Sequence, residues 1–144
     1  MPSLSLARAN KIIRDSFAKA KELNLKPIVV VVYDAGGNLK AYQAQDGASN
    51  GRFEIAAGKV RVALATGTGS RWADAQQATR PHFLTGLASV IEGGIVPVAG
   101  GVLARDSKGN IIAGVGISGD TADNDEIAAL AGIASCGLTP DTGA

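Results

Sequence analysis

Histidine, cysteine, methionine and tryptophan occur once each in this chain, and aromatic residues make up only 4% of it. A single histidine, His82, rules out His-Glu-x-x-His and every other spacing that needs two imidazoles, so no metal site is expected. A single cysteine, Cys136, excludes an intrachain disulfide and a multi-cysteine metal centre, and its Ala/Gly-rich surroundings read as core filler. No block of like charge occurs either. Lys+Arg 14 against Asp+Glu 13 leaves a formal net charge of +1, without the concentrated basic face that nucleic acid or an anionic membrane requires. The longest strongly apolar run, Ile28 to Val32, has the length of a strand and is far too short to span a bilayer. Arg8 stands where a signal peptide would have its apolar stretch, so a cytoplasmic protein is expected.

What is present is a globular composition, 46% hydrophobic and 19% charged, in 144 residues that suit one domain with its own core. The 19 glycines are spread along the chain, which points to tight turns and close backbone approaches. Leu4 to Leu23 carries apolar residues at three- and four-residue spacing and reads as an amphipathic helix. Ile28 to Val32 is apolar on both parities, as in a strand buried on both faces of its own domain, or buried on one and covered by an oligomer partner on the other. Asp34-Ala35-Gly36-Gly37-Asn38 then predicts a turn into a second strand, Leu39 to Gln45. Asp106-Ser107-Lys108-Gly109-Asn110 repeats that pattern between Val102 to Arg105 and Ile111 to Ser118; duplication and convergent turn chemistry both account for it.

Between the hairpins, Phe53 to Ala65 and Ser70 to Ala78 read as helices, the second opened by a Ser70 cap. Pro81 to Pro97 shows no clear period. Asp120 or Thr121 caps a last helix running to about Ser135, and Gly137 to Ala144 is expected to be a loose tail. Hairpins demand antiparallel pairing, so the fold class expected is α+β.

Three groups of residues are candidates for chemistry. His82, beside Arg80, is the one side chain that ordinarily titrates near neutrality, and it suits a general acid or base. Arg52, Lys59 and Arg61, near Asp46, suit either a solvated helix face or a cationic rim for a carboxylate. Gly93-Gly94, Gly100-Gly101 and the stretch Gly116-Ile117-Ser118-Gly119-Asp120 would let backbone N–H groups approach a ligand, although tight packing is the commoner use of such glycines. The acidic start of the last helix argues against an anion there.

Taken in order, the motifs resemble the GlcG/HbpS family. The first half contributes Asp-x-x-Gly-Asn-Leu, Asp46-Gly47-Ala48 and Ile55-Ala56 with Lys59 and Arg61. The second contributes Gly93-Gly94-Ile95-Val96-Pro97, Gly100-Gly101-Val102, Gly114-Val115-Gly116-Ile117-Ser118-Gly119 and Asp125-Glu126-Ile127-Ala128. The resemblance covers roughly residues 4 to 135. It implies a profilin-like, GlcG-like single antiparallel sheet with flanking helices, and a homo-oligomer. The family includes haem-binding and haem-degrading proteins, a domain of some corrinoid adenosyltransferases, and proteins encoded beside catabolic genes. His82 lies outside the shared motifs, so no haem-ligating histidine carries over.

Three functional readings follow. The first is a small-molecule-binding oligomer of a catabolic pathway, recognising an organic acid near a subunit boundary through Asp46, Lys59, Arg61, Arg80, Ser118, Gly93, Gly94 and Gly101. The second is an isomerase, lyase or hydrolase with His82 as acid/base and Arg61 or Arg80 on the substrate carboxylate. The third, implied by the resemblance alone, is haem or corrinoid binding.

Overall fold

The structure, a computed structural model, describes residues 3–144. Its elements run α1 (Leu6–Glu22), β1 (Val29–Asp34), β2 (Leu39–Ala44), α2 (Arg52–Thr66), α3 (Arg71–Gln76), α4 (Pro81–Val90), β3 (Gly101–Arg105), β4 (Ile111–Ser118), α5 (Ala122–Ser135) and β5 (Thr139–Asp141). The strands form one antiparallel sheet in the order β2-β1-β4-β3-β5. This is the α+β class expected from the two hairpins.

Helices cover both faces. Val30, Val32, Val115 and Ile117 pack with Ile12 and Ile13 of α1 and Ile133 of α5. Val29 and Val31 point the other way, onto Ala56 and Val60 of α2. The two-sided apolar run of β1 therefore has the first of the two meanings its sequence allowed. Glycine in β4 brings α2 in: a Cβ at Gly116 would stand 2.3 Å from the Ala56 carbonyl oxygen.

The two turns are alike atom for atom. Asp34 Oδ1 accepts from the N–H groups of Gly36 and Asn38, at 3.0 and 2.9 Å. Asp106 Oδ1 accepts from Lys108 and Asn110, at 2.9 and 2.9 Å. Gly37 and Gly109 close the turns at φ 83 and 84, values that L side chains rarely adopt.

Three sequence expectations need correction. Pro81–Val90 is a helix, α4, with its proline in the first turn, where a missing N–H costs nothing. Ser70 makes no capping hydrogen bond; its Oγ donates to Val98 O at 2.7 Å and accepts from Gly101 N at 2.8 Å. The tail forms β5 against β3, with Leu138 buried and Asp141 bonded to Arg105 Nε at 3.0 Å and Nη2 at 2.9 Å. No helix among the described residues is long and apolar enough to cross a membrane.

Candidate functional site

The helix α2 carries all three cations of the sequence reading, Arg52, Lys59 and Arg61, and helix geometry separates the last two. Residues two apart differ by about 200° around the axis, so Lys59 and Arg61 face different neighbourhoods.

Lys59 turns inward, where its side chain is 3% exposed. Its Nζ donates to Ile117 O at 2.8 Å and lies 3.1 Å from Asp125 Oδ2, and Asp125 Oδ1 accepts from Asp120 N at 3.0 Å. Burial pushes the Lys59 ammonium pKa down and the Asp125 carboxyl pKa up, and each charge partly reverses the shift of the other. Ser118 and Gly101 belong to this end of the sheet. Ser118 Oγ accepts from Arg52 Nη1 at 3.3 Å, and Gly101 is backed by the Lys59 carbonyl while its N–H goes to Ser70. The acidic start of α5 is likewise answered within the chain. Arg71 pairs with Asp123 and, through Nε at 2.9 Å, with Glu126. These groups are mutually satisfied, which is the pattern of a clamp between layers rather than of an open site.

Arg61 points toward the segment after α4. Its Nη1 donates to Gly93 O at 3.1 Å and Gly94 O at 3.2 Å. The paired glycines thus hold a guanidinium through their carbonyls. Of the N–H groups expected to be free for a ligand, that of Gly94 is taken by Ile91 O at 3.1 Å. A Cβ at Gly93 would lie 2.9 Å from Arg61 Nε and 3.0 Å from Cζ, so a side chain there would push the guanidinium aside, and the φ of 88 at Gly93 itself favours glycine. Arg61 lines a concavity of about 300 Å³ with Tyr33, Gly37, Val60, Leu64, Ala65, Ile91 and Glu92. Among the described residues no carboxylate lies within ion-pair distance of Arg61. An arginine fixed in place, part-buried and without a counter-ion is suited to receive a carboxylate bidentately.

The remaining candidates lie elsewhere. Asp46 is exposed and lines a shallow groove of about 720 Å³ along α1 with Arg14, Phe17, Lys21 and Leu25. Arg80 stacks over Phe83 and Trp72, 4.7 and 5.8 Å from the ring centroids, and its Nε donates to Gln76. His82 is exposed in the first turn of α4 and lines neither concavity. Tyr33 and Glu92 were not singled out from sequence. Tyr33 is the next-to-last residue of β1 and Glu92 follows α4, and nothing local marks either as a neighbour of Arg61.

A family model described as haem degrading protein HbpS-like matches residues 4–134. A 15.0 kDa protein of Citrobacter freundii, described by its place in the dhaT-dhaS intergenic region, is 33% identical over 128 residues, 88% of this chain and 87% of its own length. Among solved structures, a complex of PduOC with haem superimposes at TM-score 0.83 and 28% identity, over 95% of this chain and 97% of that one. HbpS superimposes at TM-score 0.79 and 27% identity, over 94% and 91% of the two chains.

Proposed function

This chain belongs to the HbpS-like family, and on that premise we propose that it is a small-molecule-binding protein whose ligand seats a carboxylate on Arg61. The observation that carries this reading is the guanidinium held by Gly93 and Gly94 in a largely aliphatic concavity and, among the described residues, in no ion pair with a carboxylate. A volume of about 300 Å³ is at the lower end of the range for small-molecule sites, which favours a small organic acid. Binding is preferred to catalysis because His82 lines neither concavity. Self-association is part of the proposal, supported by the open β2 edge with Leu39 48% and Tyr42 44% exposed.

Isothermal titration calorimetry with a panel of short carboxylic acids tests it. Arg61→Met should weaken a binding acid by roughly 10- to 100-fold, and Arg61→Lys by less. Equal affinities for wild type and Arg61→Met, or no acid bound, would overturn the reading.

Haem is bound by PduOC, a similar protein, so its fit needs testing here. Of the side chains that ordinarily ligate haem iron, the Arg61 concavity offers Tyr33 alone. The groove along α1 is larger and has Arg14 and Lys21 for propionates, but its lining includes no histidine, cysteine, methionine or tyrosine. The groove along α1 therefore lacks an iron ligand, and the Arg61 concavity, which has one, is at about 300 Å³ small for a macrocycle. Haemin added to the protein should give no sharpened or shifted Soret band; a shift lost in Tyr33→Phe would contradict this.

A further inference from the structure

The Arg61 concavity holds a second charge that the carboxylate reading leaves unused. Glu92 lines the same space of about 300 Å³, yet it forms no ion pair with Arg61. The reason lies in the backbone. Arg61 Nη1 is tied to the carbonyls of Gly93 and Gly94, the two residues that follow Glu92. The guanidinium is thereby held by the turn itself, and the carboxylate before that turn remains a separate wall. The rest of the lining is Val60, Leu64, Ala65 and Ile91, with the Tyr33 side chain as a further polar group. Two opposite charges face one small space without neutralising each other, and between them lie aliphatic side chains.

We propose that the ligand is a zwitterion of the amino-acid class with an aliphatic side chain. Its carboxylate would sit on Arg61 and Tyr33, its ammonium on Glu92, and its side chain against Val60, Leu64 and Ile91. This rests on the carboxylate reading of Arg61 and goes beyond it by assigning Glu92. A plain acid would bring a second negative charge into the space that Glu92 lines and leave that carboxylate without a cation, and like charges facing each other are unfavourable. A ligand bearing both charges answers both walls and also disfavours simple acids, which is specificity by an unsatisfied group.

The test compares three ligands that differ in one substituent: leucine, 2-hydroxy-4-methylpentanoate and 4-methylpentanoate, titrated calorimetrically into the full chain. Leucine should bind about tenfold more tightly than 4-methylpentanoate, with the hydroxy acid between them. Glu92→Gln should erase that difference by weakening leucine, while 4-methylpentanoate, freed of the facing carboxylate, binds at least as tightly as to the wild type. Glu92 is exposed and outside the core, so the variant should fold, which circular dichroism checks. Equal affinity for leucine and 4-methylpentanoate, or a preference that survives Glu92→Gln, would overturn the zwitterion assignment and leave the Arg61 reading standing. If none of the three binds, both fall.

Discussion

Asp34 and Asp106 each collect two backbone N–H groups in their turn, and these bonds stabilise the charged carboxylate. The N–H of Asn38 is the leading cause at Asp34, and that of Asn110 at Asp106; both carboxyls lie below the usual value of 3.8. A depressed native pKa means that the unfolded chain binds more protons as pH falls toward and below that value. The turns therefore contribute stability that is present above pH 3.8 and is lost as pH drops through the native pKa. Carboxyl carbon shifts of the two side chains, followed by NMR from pH 6 to 2 (a range of about four units), should both titrate below 3.8. A midpoint at or above 3.8 for either would show that its turn bonds do not persist in solution. These residues were legible from sequence, because every partner lies within four positions in the chain.

At the scale of elements, the contact of α2 with β4 depends on absent side chains. Ala56 O approaches Gly116 so closely that a methyl group cannot be placed without moving backbone. Gly116→Ala should therefore destabilise the fold by roughly 1–3 kcal/mol, read as a lower urea midpoint, through overpacking rather than lost burial. An unchanged midpoint would mean that the helix can retreat at little cost. Hairpins and long helices declared themselves by their own periodicity. The elements missed are those whose stability is borrowed. Leu84 is the one buried residue of α4, so its apolar pattern is too thin to announce a helix. In β5, only three residues long, order comes from β3 and from the Arg105–Asp141 contact rather than from β propensity.

Across the whole molecule, the Lys59–Asp125 pair ties α2 on one face of the sheet to α5 on the other, around the end of β4. With side chains 3% and 2% exposed, the pair is too deeply buried for solvent to take over either charge if its partner is removed. Lys59→Met alone should cost about 3–5 kcal/mol, whereas Lys59→Met with Asp125→Leu should recover most of that loss. Chemical denaturation of the two single variants and the double variant measures this. A double variant no more stable than the singles would show that the pair does more than hold two layers together.

The sequence by itself determined the hairpins, the two-sided burial of β1, the α+β class and the family, because each rests on residues close together in the chain or on motifs in fixed order. It also held the identity of Arg61 and of the paired glycines, but not their relation. Helix periodicity already parts Lys59 from Arg61, but only tertiary structure decided that Lys59 meets Asp125 66 positions away. It likewise decided that Arg61 is gripped by Gly93, 32 positions away, and by Gly94, and that Glu92 and Tyr33 share its concavity while His82 and Asp46 stand apart. The physical reason is that turn bonds and side-chain periodicity are set locally. Which charge is neutralised and which is left for a ligand depends on the packing of helices that the chain brings together from far along its length.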